Sequence, residues 1–524
     1  MEESPTKTTN SQEIKLSECR QALPQILAVC VKNMLLLVFG MSLGFPTILI
    51  PAVSGSDPFE TITMGENSIS WIGSINLICV PLGCLISGYI THTIGRKMTM
   101  QIVNIPFLMA WLLFHYSTEV WHIFVASCMT GLSGGLLEAP VLTYVAEITQ
   151  PHLRGMLSTT STMSVVIGIL SQFILGTFFS WRTVTFINCA IPIISFMSLM
   201  FIPETPVWLI TKNRYDEAKR SIAWLRGWTT IDNIENEFQE LYKHNMKTKE
   251  NVCTKNSLAK KLQTVKLFAK RNFIRPYLLI MLGFFLGHFN GNTPFQAYAI
   301  KIFKAMRAPL SEYYSTVLMG LVQLLGCILS VTLISFLGKR VINFISLFAS
   351  GICFLIVGTY AHLNNINYMT EPVVVNATTD EYPHRWISVT FLVGSAFFTY
   401  LGIKILPWIL IGELFSNEIR ATASGLSAGM GYVIGFLANK LFQDMVATFS
   451  LPGVFWFYGC VGIVGTVVLH FVLPETEGKS LFEITEHFDG GTKLRKSVRR
   501  KRTFEGNVNK AFESNENGKV ESNL

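Results

Sequence analysis

Polar residues in this chain gather at its ends and in its loops, and between them lie about twelve long apolar runs. They fall near 25–53, 70–91, 99–116, 121–147, 158–179, 183–202, 277–303, 313–334, 341–362, 386–411, 421–442 and 454–473. Each is long enough to cross roughly 30 Å of hydrocarbon as a helix. The apolar positions do not alternate, as the strands of a membrane barrel would require. The pattern therefore predicts a polytopic all-α membrane protein with six spans in each half.

The halves carry the same marks. Gly95-Arg96-Lys97 returns as Gly338-Lys339-Arg340, the pair Glu147 and Arg154 as Glu413 and Arg420, and Pro203-Glu204-Thr205 as Pro474-Glu475-Thr476. The spacings are 243, 266 and 271 residues, and a polar insert near 364–385 accounts for the first increase. One six-helix unit has been duplicated, and duplicated halves in a membrane point to a carrier whose solute site lies between them. The expected division is a tail at 1–24, a bundle at 25–202, a linker at 203–274, a second bundle at 275–473 and a tail at 474–524.

Charge orients this scheme. Only 15% of residues are charged, against about 25% in ordinary soluble proteins. The basic clusters at 96–97, 243–275, 339–340 and 493–502 fall on one side of twelve threaded spans, which the positive-inside bias makes cytosolic. Both termini are expected there, and the N-terminus lacks the pattern of a cleaved signal. The net charge of +8 suits anionic lipid and gives no reason to invoke nucleic acid. The sequon Asn376-Ala377-Thr378 falls on the opposite side, where glycosylation occurs. Most of the ten cysteines lie inside runs as small hydrophobes, so neither a metal nor a structural disulfide is expected. Amphipathic stretches at 215–228 and 258–273 read as surface helices of the linker.

Five segments, GYITHTIGRK, TYVAEITQPHLRG, PETPVWLI, PWILIGELFSNEIR and PETEGKSL, resemble the sugar porter family of the major facilitator superfamily, with a particular likeness to insect facilitated trehalose transporters. The resemblance covers about 22–484. It implies the major facilitator fold, two pseudo-symmetric six-helix bundles, and a sugar moving by alternating access without a cofactor. It also implies that Arg96, Glu147, Arg154, Glu204, Lys339, Glu413, Arg420 and Glu475 form a charge network that links the bundles when the cytosolic side shuts. Helix capping is the plainer alternative for these charges. Departures are visible: the family's Asp-Arg in the first basic motif is His92-Thr93, and the Arg of its PESPR motif is Val207.

The sugar-contact positions depart further. A Gln-Gln pair and an Asn of the seventh span become Gly287-His288 and Thr293; the fifth-span Gln becomes Thr162, and an eleventh-span Asn becomes Gly431. Gln323 stands for an Asn in the eighth span, and Trp408 keeps the aromatic of the tenth. Asn290, Asn292 and Gln296 share the seventh span and are candidate substitutes.

Two charges lie deep in apolar runs, Glu138 in the fourth and Lys404 in the tenth, each nine residues before its motif glutamate. A mid-membrane charge costs at least about 2.5–3.5 kcal/mol, so the expectation is that the two face the cavity and meet, as a gate or as solute contacts. Separate structural contacts are the alternative. The only basic residue of the first run is Lys32, expected to snorkel toward the cytosolic edge. The resemblance implies that a proton-driven member would carry a carboxylate in the first span; this run has none, which favours facilitated movement. The sequence thus predicts a monomeric plasma-membrane carrier for a sugar, trehalose or a hexose, and not an enzyme. The rivals are a carrier of another polar or anionic solute with Lys404 as the anion's partner, and a nutrient receptor that moves nothing.

Overall fold

The computed structural model describes residues 18–56, 60–253, 271–369, 384–415, 420–477, 479 and 481–489. Among these, ten helical stretches are long and apolar enough to cross a bilayer. The longest, Thr422–Val472, holds two spans, because Ser450 takes a φ of 62° before Pro452 and the chain turns back there. One further span is assembled from three shorter helices, Arg271–Phe289, Asn292–Ala297 and Ala299–Ala305. The result is twelve spans, six before the polar linker and six after it. Side chains such as Leu85, Phe336 and Phe471 remain 74–79% exposed, an apolar belt that only lipid would tolerate.

Within each bundle, glycines let backbones touch. A Cβ on Gly40 of the first span would stand 2.1 Å from the Val165 carbonyl of the fifth, and one on Gly135 of the fourth 2.0 Å from that of Val80 in the second. The glycines of the fourth span therefore serve close packing.

The duplicated motifs fold into the same device twice. The third span, Arg96–His115, starts after Gly95 at φ 111°, and the ninth, Lys339–Leu363, after Gly338 at φ 83°. In the first copy the backbone amides of Arg96 and Lys97 donate to the Glu204 carboxylate at 3.0–3.2 Å. In the second, those of Lys339 and Arg340 donate to Glu475 at 3.2 and 3.0 Å. A carboxylate at a helix N-terminus satisfies orphan amides and meets the positive end of the dipole. A Cβ at Gly95 would come within 2.5 Å of that carboxylate, and φ there lies where glycine alone is unstrained.

Lys32 departs from its expected place. It is wholly buried and donates to Ser161 Oγ of the fifth span at 2.7 Å, rather than reaching for the membrane edge. In the linker the predicted helix is present as Tyr215–Leu225, whose Ala218 and Ile222 pack with Trp208 and Phe238. Most of the second predicted linker helix (258–270), the sequon Asn376 and the basic tail lie outside the described residues.

Candidate functional site

Three spans are broken near mid-membrane, and the breaks make the site. The fourth parts into Val120–Leu136 and Glu138–Ile148, and the tenth into Trp386–Leu401 and Leu406–Leu414. The seventh parts at Gly291, where φ is 89°. A broken helix frees backbone groups that hydrocarbon cannot satisfy, and here serines of neighbouring spans take them up. Ser87 of the second span donates to the Leu136 carbonyl at 2.6 Å and accepts the Ala139 amide at 3.3 Å. Ser346 of the ninth donates to the Phe398 carbonyl at 2.6 Å and accepts the Ile403 amide at 3.0 Å. Each half thus props a break beside a charged residue, Glu138 or Lys404.

The two charges do not pair. Lys404 Nζ donates to Thr293 Oγ1 at 2.8 Å and approaches His288 Nδ1 at 3.4 Å, while Thr293 Oγ1 and His288 Nδ1 lie 2.9 Å apart. Lys404 thereby joins the seventh span to the tenth through two neutral groups. Glu138 makes no hydrogen bond or ion pair among the described residues and lies within electrostatic reach of Tyr432 and Cys84. Nine residues to a motif glutamate fixed the depth of each charge, but depth does not fix which way a side chain points.

An aromatic row separates them. Tyr432 packs 5.6 Å from Trp408, Trp408 5.2 Å from Phe284 at 86°, and Phe284 6.3 Å from His288. Phe39 of the first bundle meets Tyr432 at 6.2 Å, so the row reaches both halves. Of its Phe39, Phe284, Trp408 and Tyr432, only Trp408 was singled out in the sequence. The rest look like ordinary apolar residues of membrane spans, and Tyr432 next to Gly431 was the one available signal.

The amides fall into two groups. Asn292 and Gln323 are fully buried, and neither atom of either amide has a partner among the described residues. Asn290 and Gln296 have structural work instead. Asn290 Nδ2 donates to Ser350 and Thr399, tying the seventh span to the ninth and tenth. Gln296 Oε1 accepts from Tyr400 at 3.2 Å, and its carbonyl accepts from Thr47 of the first span at 2.7 Å. Thr162 is partly exposed on the fifth span.

The site is shut on the side away from the duplicated motifs. There Asn439 Nδ2 donates to the Gly73 carbonyl, Gln443 Nε2 to Glu66 at 2.8 Å, and Lys440 to Asn67 and Ser70 at 3.2 Å. Lys440 also stands 4.8 Å over the Trp71 ring. On the motif side the ion pairs among the described residues stay within each bundle: Arg96–Glu147 at 2.8 Å, and Lys339 with Glu413 at 2.6 Å and Glu477 at 3.0 Å. Among the described residues no ion pair of these motifs crosses between the bundles. Glu204 and Glu475 cap helices, and the side chains of Arg154 and Arg420 lie outside the described residues. Burial raises the Glu204 carboxyl above its ordinary range, against the pull of the Thr205, Lys97 and Arg96 amides.

The family model for the sugar (and other) transporters matches residues 37–488. The chain is 29% identical over 484 residues to the facilitated trehalose transporter Tret1 of Apis mellifera ligustica, covering 92% of this chain and 91% of the relative. It is 27% identical over 474 residues to Tret1 of Polypedilum vanderplanki, covering 90% of each. Among solved structures it is similar to the xylose transporter XylE from E. coli in a partially occluded inward open conformation. That match has a TM-score of 0.68 and 16% identity, over 87% of this chain and 99% of that one. XylE bound to 6-bromo-6-deoxy-D-glucose gives a TM-score of 0.67 at 17% identity, over 89% and 100%. These likenesses fix the fold as that of the major facilitators, and the chain belongs to the sugar (and other) transporter family.

Proposed function

We propose that this protein is a facilitative carrier that lets a sugar, trehalose or a hexose, pass down its gradient across the plasma membrane by alternating access. The observation that carries the reading is the pair of fully buried amides, Asn292 of the seventh span and Gln323 of the eighth, without partners among the described residues, in a fold whose aromatic row joins the two bundles. An unpartnered buried polar atom costs about 1–3 kcal/mol. A ring with many hydroxyls can satisfy both ends of an amide while its apolar face lies on Trp408. The trehalose transporters among its relatives and the sugar-bound neighbour of the same fold support this choice of solute class.

With the duplicated motifs on the cytosolic side, the shut side in this structure is the outer one, and the site would open to the cytosol. The first span offers no carboxylate beyond Glu18 at its start among the described residues, which supports facilitated movement. Purified protein in liposomes should show saturable counterflow of labelled trehalose or glucose that a protonophore leaves unchanged. Absence of sugar flux with a correctly inserted protein would overturn the proposal, and flux abolished by the protonophore would replace facilitation with coupling.

A further inference from the structure

We infer that Lys404, His288 and Thr293 form an anion subsite within the transport site, and that it takes the carboxylate of a sugar acid in preference to a hydroxyl of the neutral sugar. The inference rests on the sugar-carrier reading for where solute binds, and it narrows the class of solute.

The hydrogen bonds around Lys404 leave donors over. Its ammonium has three N–H groups and no acceptor. One goes to Thr293 Oγ1 at 2.8 Å, and the contact to His288 Nδ1 at 3.4 Å is long. An ammonium cannot accept, so His288 Nδ1 is an acceptor toward both the lysine and the Thr293 hydroxyl at 2.9 Å. The neutral ring then carries its proton on Nε2. That assignment leaves an N–H on the histidine and one on the lysine unspent, in residues that touch each other. All three residues are partly exposed, although they sit deep among the spans.

Charge points the same way. None of the ion pairs among the described residues includes Lys404. A cation deep among the spans with neutral partners alone is poorly compensated, and a carboxylate would supply both the missing charge and two acceptor oxygens. Bonds between charged partners are about twice as strong as neutral ones. The carboxylate of Glu138 would oppose an anion at close range. It stands beyond Tyr432, Trp408 and Phe284, where it can accept from the hydroxyls at the far end of a sugar acid.

The test is competition against labelled-glucose counterflow by unlabelled glucose, glucuronate and lactate, with binding read in parallel as the thermal shift of purified protein. The readout is the ratio of half-inhibitory concentrations. In the wild type, glucuronate should be about ten-fold stronger than glucose. Lys404→Met should bring that ratio near one, and Lys404→Arg should keep it above one. Lactate as strong as glucuronate would reassign the subsite to organic acids without a sugar ring. Glucuronate no stronger than glucose in the wild type, or its advantage surviving in Lys404→Met, would overturn the inference. Absence of glucose flux with a glucuronate-specific thermal shift would defeat the sugar-carrier reading and leave the subsite standing. Should Lys404→Met fail to fold, His288→Phe should lower the ratio by several-fold, and an unchanged ratio there would overturn the inference equally.

Discussion

At the scale of single residues, one acidic side chain fastens three loops on the shut side. Glu60, its side chain 6% exposed, accepts Trp181 Nε1 at 2.7 Å and Arg182 Nη2 at 2.9 Å. Arg182 continues to the carbonyls of His115 and Ser117 at 3.2 and 2.8 Å. Burial alone would push the Glu60 carboxyl up, but the Arg182 and Trp181 bonds and the Ile62 amide hold it below its usual 4.5. A carboxyl with a lowered native pKa adds stability that is full above its unfolded value and lost as pH falls through the native one. Glu60→Gln should therefore cost about 1.5–3 kcal/mol near neutrality, the range for hydrogen bonds to a charged group. Melting of wild type and variant in detergent from pH 7 down to pH 3 checks this. The gap should narrow below about pH 4.5, and a gap constant across that range would show that the charge of Glu60 is irrelevant.

Elements differ in how far the sequence disclosed them. The twelve spans and the duplication were legible because length, apolar composition and motif spacing are properties of the chain itself. The breaks were not, since Ser87 and Ser346 look like any small polar residue of a membrane helix until a neighbour's carbonyl is seen above them. Lys32 and the Glu138–Lys404 pair failed for a related reason: position along a helix is readable, but the face it presents is set by packing. The serine props have a direct consequence. Ser346→Ala leaves the Ile403 amide and the Phe398 carbonyl without their bonds, at about 1–3 kcal/mol for a buried group, next to the lysine that holds Thr293 and His288. It should lower the melting midpoint and raise KM for the sugar several-fold, although Ser346 touches no solute. Ser330 of the eighth span is the control: its hydroxyl is buried without a partner among the described residues, so Ser330→Ala should leave KM unchanged and hold or raise the melting midpoint. Equal behaviour of the two alanine variants would remove the prop from the mechanism.

Across the whole molecule the two sides are built unequally. Glu66, Asn67 and Ser70 on the second span and Asn439, Lys440 and Gln443 on the eleventh share one spacing, so each trio is a single polar stripe on a helix. Facing each other, they join the bundles on the side away from the motifs, whereas the charged motifs hold each bundle together internally. Alternating access needs two states within a few kcal/mol of each other, so a clamp of this size is enough to set the balance. Lys440 supplies a cation–π contact and two hydrogen bonds at 3.2 Å. Screened and partly exposed, these together are worth about 1–2 kcal/mol, or about 5- to 30-fold in the ratio of states. Lys440→Ala should therefore populate a form open on that side. Tyr116 and Leu363 end the third and ninth spans there, 70% and 74% exposed and outside the clamp, and suit cysteine replacement for paired spin labels. In a lipid nanodisc without sugar, the Lys440→Ala background should show a second, longer distance that is rare in the wild type. Identical distance distributions in the two backgrounds would mean that closure on this side is carried by the apolar contacts alone, with the polar stripes as bystanders.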